Sequence, residues 1–286
     1  MKRDKSAYLF LLPAFLFATI FLFIPLGQGV YLSFFKAGIT TKEFVGLGNF
    51  AKMGSDPLFW VEIRNTIVFV VGLVVLNLSI TLFIAVAIHR LSNFLQSFFR
   101  LAFYLPGVCA GVVTSMVWIW IFNPDFGLLN YLLGLIGVPP VYWLSEPDTA
   151  RLAVIVVVCT WMLGSHIILF LAALNAVPEH LYEAARIDGA NVVQRFFYIT
   201  IPLIMPMTVY ILVTTTVGAF QIWEGIYMLT AGGPAHATTN IVYRVYQLGF
   251  RYFRFGEAAA HGVLLLMIIF PIAFIQFRYL SKKLEF

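Results

Sequence analysis

The chain has 286 residues, of which 61% are hydrophobic and 11% charged, with a net charge of +5. A water-soluble domain carries about 45–50% apolar and about 25% charged residues, so much of this chain's surface must meet lipid rather than water. The basic residues are scattered singly, which excludes the dense cationic patch that nucleic-acid tracking needs; membrane topology and anionic lipid account for them. Apolar runs recur from end to end, so the sequence reads as one all-α transmembrane domain over 1–286.

About 20 apolar residues are needed for a helix to cross a bilayer. Six segments qualify, at 8–30, 65–88, 101–122, 152–174, 203–223 and 261–279. The first follows a basic start (Lys2, Arg3, Lys5) but is too long for a signal-peptide core and lacks a small-x-small cleavage site. It is read as a retained span that Pro13 and Pro25 bend or delimit. A seventh stretch, 239–255, interleaves Tyr243, Tyr246, Phe250, Tyr252 and Phe253 with Arg244, Arg251 and Arg254, which suits a helix at the membrane interface. Six spans put both termini on one side. Arg278, Lys282 and Lys283 make the second end basic too, whereas the 123–149 loop has no Lys or Arg. The positive-inside rule then places both termini, the 89–100 loop and the 175–201 loop in the cytoplasm, although the outer loops also carry Lys36, Lys42 and Lys52.

Several chemistries are excluded. No GxxxxGK[ST] run is present, so the chain has no phosphate-cradling P-loop. Cys109 and Cys159 form no CxxC pair, and His89, His166, His180, His236 and His261 show no metal-ligand spacing. Gly164-Ser165-His166 lacks the flanking elbow of a serine hydrolase. The spans hold almost no carboxylates or bases, which argues against a proton relay, and no broken helices in paired positions stand out. They do hold Asn77, Thr114, Ser115, Thr160, Ser165, Thr214, Thr215, Thr216 and Gln221. Helix–helix hydrogen bonding explains any one of these; together they could also line a path for a neutral, hydroxyl-rich solute.

The loop after the fourth span reads Pro178-Glu179-His180-Leu181-Tyr182-Glu183-Ala184-Ala185-Arg186-Ile187-Asp188-Gly189-Ala190-Asn191. Its residues spell a short helix, a turn and a second helix. Pro178 suits the first helical position and Glu179 the positive end of the helix dipole. Ala184 and Ala185 let another surface approach closely, and Gly189 can take the left-handed conformation that ends a helix. Asn191 and Gln194 have the spacing of a capping box, and Pro202 opens the fifth span.

Glu183-Ala184-Ala185, three residues, Gly189, nine residues and Ile199-Thr200-Ile201-Pro202 resemble the EAA loop (EAA-x3-G-x9-I-x-L-P) of the permease subunits of bacterial ABC importers, with Ile201 in place of leucine. Further blocks resemble the carbohydrate-uptake branch, of maltose and glycerol-phosphate permease type. These are 44–50, Trp118 with 122–124, 126–130, and Leu229-Thr230-Ala231-Gly232-Gly233-Pro234 followed by 237–239. The resemblance covers nearly the whole chain. It implies six spans with a cytoplasmic coupling helix, in a multi-pass protein of the bacterial inner membrane that imports a sugar or sugar-like solute. Expected partners are a second homologous permease, two ATPase subunits and a periplasmic or lipid-anchored solute-binding protein, with no nucleic acid. No cofactor is expected in this chain, since ATP and Mg would sit on the ATPase, and the chain itself would not be an enzyme.

By the same resemblance, Glu183, Ala184, Ala185, Asp188 and Gly189 would couple to the ATPase. The solute path would carry Trp161, Gly164, Ser165 and His166 on the fourth span and Thr215, Gly218, Ala219, Ile222 and Trp223 at the fifth. The fourth span departs from the pattern: no proline follows Trp161, and the distance to Pro178 is one residue short. The fifth carries small or apolar residues where maltose-type relatives carry asparagines. A self-sufficient channel or carrier and a membrane-embedded enzyme are the competing classes, and dependence of transport on ATP separates them from an importer.

Overall fold

The computed structural model describes residues 6–281, with side chains described from Phe10 to Arg278. The basic residues Lys2, Arg3, Lys5, Lys282 and Lys283, on which the orientation partly rested, lie outside the described residues. In chain order the helices are α1 (Ser6–Ala18), α2 (Ile24–Ser33), α3 (Gly48–Ser55), α4 (Pro57–His89), α5 (Asn93–Val108), α6 (Gly111–Ile121), α7 (Leu128–Leu135) and α8 (Pro147–Asn175). They continue as α9 (Glu179–Ile187), α10 (Val192–Arg195), α11 (Ile201–Phe220), α12 (Glu224–Leu229), α13 (Ile241–Tyr246) and α14 (Phe255–Ser281). A hairpin of β1 (Phe35–Ala37) and β2 (Lys42–Phe44) pairs antiparallel, with Lys36 opposite Glu43.

Five helical stretches are long and apolar enough to cross a membrane, or six when one sharply bent pair counts as a span. The bent pair is the predicted third span. There the chain turns by 102° between α5 and α6, so the expectation of one straight helix over 101–122 is corrected. Pro106 interrupts the hydrogen bonding at this point, and Cys109 and Ala110 are extended, with ψ of 143° and 136°. The other spans run past their predicted ends, except that the fifth stops at Phe220, short of 223, because Gln221 ends the helix and leaves Ile222 and Trp223 in the turn beyond it. α4 starts at Pro57 because Asp56 accepts the Leu58 N–H at 3.0 Å, which draws Glu62, Arg64 and Asn65 into the helix. α5 starts at Asn93, which shortens the expected 89–100 loop to a few residues.

Two prolines share one device. A π-helical turn, Thr19–Phe23, ends two residues before Pro25, and another, Phe196–Thr200, ends two residues before Pro202. A proline ring crowds the carbonyl four residues upstream, here Phe21 and Tyr198, and the widened turn holds that carbonyl clear. The helix therefore runs unbroken from Val192 to Phe220, and Pro202 sits inside it rather than at its start.

The backbone contacts divide the chain into two compact units. The first takes the residues up to Trp60 together with Arg244–Met267. Here Asn49 Nδ2 donates to the Ser33 and Phe35 carbonyls, each at 2.8 Å, fastening α3 to the hairpin's root. Lys52 pairs with Glu257 at 3.1 Å, Arg254 Nε donates to Glu257 at 2.8 Å, and Arg244 lies 3.9 Å from Asp56. Two of the three arginines of the 239–255 stretch are thus held by carboxylates. That stretch is helical over 241–251, too short to cross a membrane.

The second unit, Val61–Tyr243 with the chain from Ile268, is built around α8. An 18-residue window of α8 is 56% buried, against 22% for α4 and for the 192–220 helix. Ile167, Phe170, Leu171 and Leu174 of α8 form a core with Ala85 and Ile88 of α4 and Ile204 and Ile211 of α11. Where α5 meets α8, the backbones touch. A Cβ on Gly164 would stand 2.4 Å from Tyr104 Cα, and one on Gly107 would stand 2.6 Å from the Trp161 carbonyl. Small residues allow such seams between membrane helices, where packing rather than hydrophobicity drives association.

Candidate functional site: the α9 turn and the polar residues of the spans

α9 leaves α8 after three residues. Pro178 stands one position earlier than expected, as the N-cap, with ψ of 127°. Past the helix end the turn closes as a Schellman motif: Gly189 N–H donates to the Arg186 carbonyl at 3.1 Å and Ala190 N–H to the Ala185 carbonyl at 2.8 Å. This geometry needs a left-handed residue, and Gly189 has φ of +79°. The next helix opens on the expected capping box. Asn191 Oδ1 accepts from Gln194 N at 2.9 Å, and Gln194 Oε1 accepts from Asn191 N at 2.8 Å.

The faces of α9 differ. His180, Glu183, Ala184 and Ile187 are exposed and spaced as one helical stripe. Ile187 is 87% exposed, so a large apolar side chain stands unburied among polar neighbours. Asp188 and Gly189 are exposed beyond it, and Ala185 is half-buried. The flank carrying Glu179, Tyr182 and Arg186 turns to a cavity. Glu179 and Arg186 approach to 3.5 Å, and Tyr182 Oη lies 2.8 Å from Thr200 Oγ1 at the start of the fifth span.

The proposed path residues fall into groups. Gly164 is committed to the α5–α8 seam. His166 is buried, with Nδ1 2.6 Å from Asn77 Oδ1, and Asn77 Nδ2 lies 3.8 Å from Cys159 Sγ. This links α4 to α8 and gives Asn77 the interhelical role considered for it. Ala219 and Ile222 are buried, and the Ile222 carbonyl accepts from Asn240 Nδ2 at 2.7 Å. Ser165 is exposed and donates to the Met162 carbonyl at 3.0 Å. Gly218 is half-buried, and Trp223 is 37% exposed. Trp161 Nε1 and Thr215 Oγ1 are buried without a hydrogen-bond partner, as is Ser115 Oγ on α6. Each such group carries a desolvation cost of about 1–3 kcal/mol that a hydroxylated solute or water would relieve.

Two carboxylates escaped the sequence reading. Glu62 is 1% exposed on α4, upstream of the apolar window. Glu224 opens α12 and reaches the broken span: a Cβ on Gly111 would stand 2.8 Å from Glu224 Oε1. The first turn of α6 thus faces a carboxylate, which suits the positive end of a helix dipole. The available signal was the Gln221-Ile222-Trp223-Glu224-Gly225 run, polar and glycine-ended just past an apolar helix.

The other recurrent blocks are structural. Asn130 Oδ1 accepts from Trp143 Nε1 at 2.9 Å while its Nδ2 donates to the Val141 carbonyl at 2.9 Å. Asn123 Oδ1 accepts from Asp125 N at 2.9 Å. Asn65 Nδ2 holds the His236 and Thr239 carbonyls, each at 2.9 Å, across the 230–240 loop, where Gly232 has φ of +87°.

Apolar helices long enough to cross a membrane, one broken span and a connector that exposes a short helix define a multi-pass membrane protein with a helix available to a partner. Residues 83–286 match the family described as binding-protein-dependent transport system inner membrane component, and the chain belongs to that family. It is a multi-pass inner membrane permease of the ABC importer class, not an enzyme. It is 34% identical over 283 residues to the probable ABC transporter permease protein YurN of Bacillus subtilis, covering 97% of each chain. It is 34% identical over 284 residues to the sn-glycerol-3-phosphate transport system permease protein UgpA of Agrobacterium fabrum, covering 98% of this chain and 96% of that one. Among solved structures, it is similar to a chain of a bacterial alginate ABC transporter in complex with an alginate pentasaccharide-bound periplasmic protein. That match has a TM-score of 0.84 and 26% identity, covering 96% of this chain and 93% of the other.

Proposed function

We propose that this chain forms one half of the translocation path of an importer for a saccharide or sugar derivative, driven by ATP hydrolysed on separate subunits. The observation that carries the reading is the exposed stripe of α9, with Ile187 87% exposed and a glycine-dependent turn directly behind it. A helix held out of the membrane domain in this way is a docking element. In this reading Glu183, Ala184 and Ile187 meet an ATPase subunit, Asp188 and Gly189 set the exit angle, and Ala185 packs behind them. Both termini and α9 lie in the cytoplasm. The second permease is a homologous chain, and a solute-binding protein delivers from the periplasmic side; the solved alginate transporter, caught with its periplasmic protein, supports that partner. The class of solute is supported by what the relatives are named for carrying, among them glycerol phosphate, a sugar-like polyol phosphate, and the polysaccharide alginate. Along the path, Ser165, Gly218 and Trp223 offer reachable surface, and Trp161 and Thr215 offer unpartnered polar atoms.

The test is co-purification followed by reconstitution. Affinity capture of the tagged chain should retain an ATPase subunit, and uptake into proteoliposomes should require both ATP and the binding protein. Uptake without ATP, or capture with no ATPase, would overturn the reading.

A further inference from the structure

A cavity of about 600 Å³ lies beside α9. It sits where the ends of α4 and α8, the flank of α9 and the 192–200 helical turn converge. Its wall carries three guanidinium groups, Arg90, Arg186 and Arg195, with the imidazole of His89 beside them. One carboxylate, Glu179, faces them and is engaged by Arg186 at 3.5 Å. Among the described residues, Arg90 and Arg195 have no carboxylate partner. His89 is partly buried there, with the Asn175 side chain as its hydrogen-bond partner.

A pocket of this size matches small-molecule sites, which run from about 300 to 1,000 Å³. Its charge is unbalanced: three permanent cations face one anion. Guanidinium is the group that meets phosphate oxygens in a forked, bidentate fashion, which a scattering of lysines would not supply. The Tyr182 and Thr200 hydroxyls, already bonded to each other at 2.8 Å, hold the back wall in place and add polar surface. The apolar rim of Val86, Leu174, Val192 and Phe196 is suited to the carbon skeleton of an ester rather than to a bare ion.

We propose that this cavity is a binding site for a phosphate ester, either a soluble organic phosphate or the headgroup of an anionic phospholipid, and that its occupant braces α9 against the ends of the spans. Arg90 directly follows α4, Arg186 lies on α9 and Arg195 on α10, so one phosphate bridging them ties the exposed helix to the end of α4 and to the 192–220 helix. The site is separate from the docking stripe, since 179, 182 and 186 occupy a different flank of α9 from 180, 183, 184 and 187. The proposal does not depend on what α9 docks against.

The experiment has two arms on the purified full chain. In the first, inorganic phosphate and fructose 1,6-bisphosphate are titrated at constant ionic strength, and the shift in melting temperature is read against matched sulfate and chloride. In the second, native mass spectrometry counts phosphatidylglycerol retained after extraction from membranes containing phosphatidylcholine and phosphatidylglycerol. Saturable binding in the first arm identifies the soluble source, and one retained phosphatidylglycerol per chain identifies the lipid. The Arg90→Gln/Arg195→Gln double variant should weaken the binding by at least about tenfold, the loss of one to two charge-assisted hydrogen bonds. Glu179→Gln should strengthen it, because it removes the competing carboxylate and frees Arg186. Absence of binding in both arms, binding that the double variant leaves unchanged, or weaker binding in Glu179→Gln would each overturn the proposal.

Discussion

Gly189 can be replaced without steric conflict, which makes it a clean probe of the turn behind α9. A Cβ built there meets no atom within 4 Å, so any penalty comes from the backbone alone. At φ of +79° an L-residue is disfavoured by about 1–2 kcal/mol relative to glycine. The turn can relax only by giving up its two closing hydrogen bonds, at 3.1 and 2.8 Å, each with a net contribution of about 0.5–1.5 kcal/mol. Gly189→Ala should therefore lower the population of the native turn by about 5- to 30-fold. Gly189→Asn should lose less, because asparagine tolerates the left-handed region. Gly189→Pro should abolish the turn, since proline fixes φ near −65° and removes the N–H bonded to Arg186. Uptake by the reconstituted transporter, at matched protein levels, should rank Gly above Asn, Asn above Ala and Ala above Pro. A proline variant that transports at the parental rate, or an alanine variant that outperforms asparagine, would refute the reasoning.

Ile187→Glu should leave the melting temperature of the isolated chain within about 0.5 kcal/mol equivalent, because the side chain is 87% exposed. It should also cut retention of the ATPase subunit on an affinity column by an amount matching a docking residue, about 2 kcal/mol; unchanged retention would count against α9 as the docking element. Gly164→Ala forces a Cβ to within 2.4 Å of Tyr104 Cα and should destabilise the chain by about 1–3 kcal/mol. Gly218→Ala meets only the flexible Met162 Cε at 3.0 Å and should cost much less; comparing the two melting temperatures in detergent checks the seam. Asn77→Ala removes the 2.6 Å contact with His166 and should lower stability by about 0.6–1.7 kcal/mol, read from unfolding in mixed micelles.

The connector was legible because each of its instructions is local. Gly189 ends a helix and Asn191 with Gln194 starts the next by rules that act within a few residues, and the structure carries both out. Even there Pro178 shifted by one position, since an N-cap and a first helical residue both accept a residue without an N–H. The break in the third span was not legible. Pro106 and Gly107 sit in an apolar run that reads as continuous, and the partner that exploits Gly107 is the backbone of Trp161, on another helix. Glu62 and Glu224 were passed over for a related reason. Apolar windows stop where polar residues begin, whereas helices continue when a cap such as Asp56 or a neighbouring helix end such as that of α6 takes up the polar groups. The path residues divide along the same line: the resemblance named Gly164 and His166 by position, whereas the contact of Gly164 with the α5 backbone and that of His166 with Asn77 depend on other helices.

The seam between α5 and α8 has a mechanical consequence. Side-chain interfaces yield to small displacements by changing rotamers, but Gly107 and Gly164 leave no side chains there to do so. α8 and α5 must then move like two planks glued along their grain. α9 hangs from α8 by only three residues, so a tug on that short arm reaches α5 with little slack. The first interruption of the helix beyond this seam is the extended pair Cys109 and Ala110, where the 102° elbow lies. The elbow thus marks where the closely packed α5 segment ends and the chain passes to α6, which is held in turn against Glu224.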